Sequence, residues 1–329
     1  MVNINDIQNA HKRIHGVALE TPLVQFDERI WLKDESKQPI GAFKIRGAYN
    51  MIAQLSPEQL GLGVITYSSG NHAQGVAYAA RALGAKSVIV MPSASPQVKV
   101  DATRALGAEV VFVGNASAER KLKAEELAAE HGYTVVPPYD DERIIAGQAT
   151  CGVEIVEQLG GASCANALIL SPVSGGGLLS GVSAGVKLLC EANGWAAPPV
   201  WGCEPEVAGD ASESFRTRTL VEWPAEKTTR TLADGLRTQS VGPQNFEHIL
   251  RFTDGILTVT EAELREALRR ILTQTGIVAE PSGAVTLAAA LFHANELPQT
   301  ERVVAIVSGG NIDPTLRAEV AAEEPALQS

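Results

Sequence analysis

Short runs of apolar, often β-branched residues alternate along the chain with alanine-rich stretches whose apolar positions recur every three or four residues. The first pattern predicts buried strands, the second helices that bury one face. Strands are predicted at 63–67, 87–91, 109–113, 167–170, 200–203 and 302–307. Helices follow most of them, at 71–83, 97–106, 118–130, 178–192, 261–275 and 282–295. Strands that alternate with helices form parallel sheets, because each return crossover lays a helix on a sheet face. The predicted class is α/β, a three-layer αβα arrangement with parallel sheets.

A local repeat orders the first strands. Arg81-Ala82-Leu83-Gly84-Ala85-Lys86-Ser87-Val88-Ile89-Val90 returns as Arg104-Ala105-Leu106-Gly107-Ala108-Glu109-Val110-Val111-Phe112-Val113. Each copy reads as a helix end, a glycine stop and a strand, so the two are consecutive units of one sheet. Residues 54–145 are expected to form a small mobile domain. Residues 1–53 and 146–329 would make a discontinuous large domain, with a cleft between the two.

Composition narrows the function classes. A chain of 329 residues with 45% hydrophobic and 20% charged residues can bury a large core, as an enzyme does. A net charge of −11 argues against nucleic-acid or anionic-membrane partners, which demand basic surfaces. Cys151, Cys164, Cys190 and Cys203 lack metal-ligand spacing and are expected to be reduced thiols. With no signal peptide and no apolar run long enough to span a bilayer, a cytoplasmic location is expected.

The chemistry concentrates in four segments. Lys44 lies in Gly41-Ala42-Phe43-Lys44-Ile45-Arg46-Gly47-Ala48, between an aromatic, an apolar residue and small neighbours. A lysine that condenses with an aldehyde must be partly neutral near pH 7, and burial or a nearby cation lowers its pKa. Arg46 is such a neighbour in the sequence. Ser68-Ser69-Gly70-Asn71-His72 joins a strand to a helix, where free backbone N–H groups can hold a carboxylate. An ordinary capped turn would look the same. Ser174-Gly175-Gly176-Gly177-Leu178 also follows a strand, and its glycines let main-chain amides wrap a phosphate at a helix start. Ser308-Gly309-Gly310-Asn311 ends the last strand, on the side where ligands of open α/β sheets bind. The glycine loop approximates a dinucleotide fingerprint, with Glu204 where a ribose-binding acid would lie, so a nicotinamide dehydrogenase is a rival reading.

Taken together and in order, these segments resemble the pyridoxal-phosphate enzymes of the tryptophan-synthase-β fold (fold type II). Among these, the chain is most similar to the threonine/serine dehydratase and serine racemase branch. The resemblance implies pyridoxal 5'-phosphate held as an imine on Lys44, with Phe43 against its ring. It implies a phosphate cradle from Ser174 to Leu178, Asn71 on the ring oxygen and Ser308 on the pyridine nitrogen. Gly235, in Ala233-Asp234-Gly235-Leu236, and Glu280, at the helix start Glu280-Pro281-Ser282-Gly283, would line the cofactor. Glu280 as a surface carboxylate favouring a helix dipole is the alternative. Ser68 to His72 would bind substrate. Ala42 and Ile40 stand where many relatives carry Ser and Thr, a departure that bears on substrate preference.

Glu204-Pro205-Glu206-Val207-Ala208-Gly209-Asp210 offers two carboxylates around a turn, the hard oxygen ligands that Mg²⁺ or Ca²⁺ takes. The resemblance implies a site for Mg²⁺, Mn²⁺ or Ca²⁺ from Glu204, the Ala208 carbonyl and Asp210. The activity it implies is a catabolic ammonia-lyase converting L-threonine or L-serine to a 2-oxo acid and ammonia. Serine racemase and 3-hydroxyaspartate dehydratase are alternatives, the first resting on Ser69 as a proton donor opposite Lys44. A β-carboxylate substrate would need a further cation, for which Arg143 and Arg237 are candidates by position. The tail after Asn311 is too short for an appended regulatory domain, and a homodimer is expected.

Overall fold

The computed structural model describes residues 1–114 and 117–325. Among these, ten strands form two sheets: β1 (Leu23–Gln25), β2 (Ile30–Asp34), β3 (Val64–Tyr67), β4 (Ser87–Pro92), β5 (Glu109–Val113), β6 (Thr134–Val135), β7 (Ala167–Pro172), β8 (Val200–Pro205), β9 (Gly255–Val259) and β10 (Arg302–Val307). One sheet runs β1-β2-β10-β7-β8-β9 and the other β5-β4-β3-β6. Only β1 pairs antiparallel to its neighbour; the rest are parallel. The repeat units end in β4 and β5, which pair directly.

The six predicted strands are present to within two residues, and the α/β class holds. Four strands have no counterpart in the predicted set: β1, β2, β6 and β9. From the sequence, Ala146-Gly147-Gln148 is expected to open a helix; that helix, Glu142–Gln158, starts instead at the Asp141 cap, so the segment lies a turn inside it.

Alternation across the six-stranded sheet sends side chains into two layers of core. Leu168, Leu170, Val303 and Ala305 pack with the helices Glu261–Gln274 and Pro281–Phe292. Ile169, Val304 and Ile306 face the other way, against the helices Glu142–Gln158 and Gly177–Asn193. Those two helices touch backbone to backbone. A Cβ on Gly185 would stand 2.3 Å from the Ala149 carbonyl oxygen, so glycine is required there.

Beneath the helix Lys44–Ile52 lies a buried cluster of charges. Arg46 forks to Glu35 (Nη2–Oε1 2.7 Å) and Glu154 (Nη1–Oε1 2.5 Å), while Lys33 reaches Glu154 at 2.6 Å. Thr21 and Thr150 complete the hydrogen bonding. Two cations thus meet two carboxylates in a site that excludes water. Burial alone would raise the Glu35 carboxyl, but the charge and bonds of Arg46 outweigh it and hold it below the usual range. The cluster ties β2, the 3-10 turn Glu35–Lys37 and two helices into one unit.

Removing one partner strands the others, at a cost of about 3–5 kcal/mol for a buried pair. Arg46→Met should lower the urea unfolding free energy by that order. Arg46→Lys should recover only part of it, because an ammonium lacks the planar fork. An unchanged unfolding midpoint for Arg46→Met would contradict this role.

Candidate active site

Lys44 opens its helix at the place where the chain is fastened to the C-terminal end of β10. Ala42 bridges Gly309, and the Phe43 N–H donates to the Ser308 carbonyl at 3.1 Å. The Lys44 ammonium donates to the Pro138 carbonyl at 2.8 Å and stands 5.2 Å from the Phe43 ring centroid. Burial lowers its pKa to about 8, against the pull of Glu280, which raises it. The sequence-based role of Arg46 is therefore corrected. Arg46 is held by Glu35 and Glu154, and residues two apart on a helix do not face each other.

Glu280 is the carboxylate nearest in influence. It precedes the helix Pro281–Phe292 but makes no cap, and it is 4% exposed, which removes the surface reading. Its Oε1 accepts from Asn71 Nδ2 at 2.8 Å, and Asn71 Oδ1 accepts from Asn311 at 2.7 Å. Burial, then Asp234, push its pKa up to about 7. Gly235 follows Asp234, and its N–H donates to Ser282 Oγ at 2.9 Å, on the helix that Glu280 precedes.

The turn before the helix Asn71–Ala82 is capped by Gly70 without a side-chain bond. Ser69 is thus not the cap that a structural role would make it, and Ser68 Oγ accepts from the Gly70 N–H at 3.3 Å. His72 is buried, its Nε2 3.0 Å from the Val136 carbonyl; burial and the Lys44 charge lower its pKa to about 3, leaving it neutral.

The glycine loop lies beyond the end of β7. Gly176, at φ +96°, caps the helix Gly177–Asn193 with no side chain, so first-turn N–H groups are left without a cap. Ser174 Oγ pairs with Thr238 Oγ1 at 2.8 Å, and Leu178 is buried in the core. A Cβ on Gly175 would meet the Tyr139 ring at 2.3 Å. The segment Pro138-Tyr139-Asp140 therefore runs from the Lys44 amine to the glycine loop. It is fastened there by Asp140 Oδ1, which accepts from the Gln244 N–H at 3.0 Å. Ser308, 3% exposed, closes the set at the end of β10.

Pro138, Tyr139, Asn311 and Thr238 carry no role in the sequence reading. The Pro137-Pro138-Tyr139-Asp140 run was readable as a crossover, but nothing local shows that its carbonyl meets Lys44. Arg143 and Arg237 do not answer the need for an extra cation. Arg143 pairs with Asp141, and the Arg237 guanidinium donates to the Thr231 carbonyl.

Glu204 ends in a buried site of its own. Ser212 N–H donates to Oε1 at 2.6 Å, while Glu204 Oε2 and Asp210 Oδ2 find no hydrogen-bond partner among the described residues. Burial and the neighbouring Asp210 raise the Glu204 pKa well above its usual range, and burial raises Asp210 to about 7. A carboxylate buried in that way cannot reach a ribose, which removes the dinucleotide reading of Glu204. Ala208 is buried beside them. No cluster of three or more His, Cys, Asp and Glu side chains suited to a metal occurs among the described residues.

The residues present fit an aldehyde cofactor with a phosphate. A desolvated amine of lowered pKa is linked through Pro138 and Tyr139 to a glycine-lined helix start that no side chain caps. Comparison with known proteins agrees. The family described as pyridoxal-phosphate dependent enzyme matches residues 15–309. L-threo-3-hydroxyaspartate ammonia-lyase of Saccharomyces cerevisiae is 36% identical over 94% of this chain and 93% of its own. Serine racemase of Schizosaccharomyces pombe is 37% identical over 94% of each. A solved threonine deaminase, from T.th., superposes with a TM-score of 0.87 at 40% identity, covering 95% of this chain and 99% of that one. This chain belongs to the pyridoxal-phosphate dependent enzymes.

Proposed function

We propose that the protein is an ammonia-lyase that converts small β-hydroxy amino acids, L-threonine or L-serine, to 2-oxo acids and ammonia. The observation that carries this reading is the Lys44 amine, buried, lowered to about pKa 8, within electrostatic reach of Glu280 and bonded to the Pro138 carbonyl, whose neighbour Tyr139 lies against Gly175. The names of the similar proteins support the reaction class, since they refer to threonine, serine and hydroxyaspartate.

Lys44 would carry the cofactor, Phe43 lie against it, and Ser174, Gly175, Gly176, Gly177 and Leu178 hold its phosphate. Asn71, Gly235, Glu280 and Ser308 would line its ring. The bound cofactor supplies electron withdrawal that acidifies the substrate Cα–H. Lys44 Nζ, when its amine is free, would be the base that takes that proton. Ser308 would offer a neutral hydroxyl rather than a carboxylate at the ring nitrogen, a choice that favours elimination of a β-hydroxyl over transamination. The uncapped turn of Ser68, Ser69, Gly70, Asn71 and His72 would receive the substrate carboxylate. Residues 54–145 would act as the mobile small domain, and two copies would form a homodimer.

The buried, unpartnered oxygens of Glu204 and Asp210, with the Ala208 carbonyl, would hold Mg²⁺, Mn²⁺ or Ca²⁺ as a structural ion. A divalent cation would offset the burial that raises both carboxyls and the Asp210 charge that adds to it at Glu204. A racemase side activity is the second reading. It is favoured by Ser69, whose hydroxyl is not used to cap the helix that follows it.

Purified holoenzyme offered L-threonine, L-serine, D-serine and 3-hydroxyaspartate should release 2-oxo acid and ammonia in equal amounts from at least one. Mixed serine and threonine turnover is expected, because one methyl is worth only about 1–3 kcal/mol of discrimination. A cofactor-loaded protein that turns over none of them would overturn the reading. Ser69→Ala should abolish D-serine formation from L-serine while sparing elimination, read by chiral chromatography. Equal loss of both activities would show that the hydroxyl has no separate role.

A further inference from the structure

Lys99 and Asp234 form an ion pair that joins elements packed on the two different sheets. Lys99 lies on the helix Gln97–Ala105, which leads from β4 into β5 of the four-stranded sheet. Asp234 opens the 3-10 turn Asp234–Leu236, packed on the six-stranded sheet. Their side chains meet at 2.9 Å, with relative exposures of 31% and 46%. Next to Asp234, Ala233 is fully buried and the Gly235 N–H is anchored to Ser282 Oγ at 2.9 Å. Lys99 stands on a helix whose exposed face includes Val98, at 66%. A charged pair between a fixed turn and a helix of the other sheet resists separation of the two and is weakened by salt.

The same pair lies within electrostatic reach of Glu280. Asp234 pushes the Glu280 carboxyl up and Lys99 pulls it down, next to burial, which pushes it up most. The other charged group facing Glu280 is Lys44, whose amine Glu280 in turn raises. Glu280 holds Asn71, so the pair's position is transmitted to a residue at the rim of the Lys44 cleft.

We propose that Lys99 and Asp234 are positioning residues, a cross-cleft latch that holds the helix Gln97–Ala105 closed over the Lys44 site and fixes the Glu280–Asn71 contact. The proposal rests on the reading of Lys44 as the reacting amine only where it concerns turnover; the latch itself is a property of the fold. Closure of this kind keeps water from the reacting centre and retains substrate. Its strength is small, as suits a contact that must open in every cycle. A partly exposed pair contributes about 0.2–1 kcal/mol, which corresponds to roughly a 1.4- to 5-fold change in an equilibrium.

The test uses the holoenzyme and three variants: Lys99→Met, Asp234→Asn, and the exchanged double variant Lys99→Asp with Asp234→Lys. Amide hydrogen exchange over residues 97–105 should be roughly 1.4- to 5-fold faster in each single variant and return toward the parent rate in the double one. The pH limb of kcat governed by Glu280 should move upward in Lys99→Met, which leaves Asp234 unneutralised. In Asp234→Asn it should move downward, because the raising charge is gone. A merely structural contact would move both limbs the same way or neither. Unchanged exchange in both single variants, or no recovery in the exchanged pair, would overturn the latch. An enzyme that turns over no β-hydroxy amino acid, yet shows the exchange pattern, would refute the proposed activity and leave the latch standing.

Discussion

The neutral four-charge cluster under Arg46 is the constraint on which the site depends. Lys33, Glu35, Arg46 and Glu154 come from three separated stretches of chain and would each be costly to bury alone. Brought together they fix the helix Lys44–Ile52 against the helix Glu142–Gln158 and β2. The first residue of that helix is then committed to one position. Ala42 and Phe43, bonded to Gly309 and Ser308, complete the clamp from the other side. Lys44 is thus presented to the cleft by a rigid support, and the pinned backbone leaves its amine little choice but a desolvated place.

That placement explains the electrostatics without a neighbouring cation. Burial lowers the amine to about 8, whereas Glu280, itself raised to about 7, can share or withhold negative charge close by. Burial thus brings the amine down and the carboxyl up, each toward neutral pH. Neutral His72 and neutral Ser308 add no charge to disturb that balance. The ends of the neighbouring strands β10 and β7 carry Ser308 and the glycine loop, while β8 carries Glu204 into its separate buried site.

What the sequence made legible was local. Strand runs such as 302–307 and the glycine loop announce themselves in consecutive residues, and their structure follows from backbone rules. β2 escaped because Lys33 and Asp34 look like surface residues; the buried Lys33 is neutralised by Glu154, far along the chain. β6, two residues long, offers no period to read. The lysine was legible but the cause of its pKa was not. Arg46 is close along the chain, yet a helix turns it to the opposite side. Pro138, Asn311 and the pairing of Lys99 with Asp234 are matters of tertiary proximity that no local pattern encodes.

The proposed chemistry stands on the amine of Lys44 as the point of covalent attachment for the cofactor. Holoenzyme reduced with borohydride and digested for peptide mass spectrometry reads this directly. A pyridoxyl mass is expected on the peptide containing Lys44, with an unmodified chain in Lys44→Ala. The tag on another lysine, or on none in a coloured and active preparation, would contradict it.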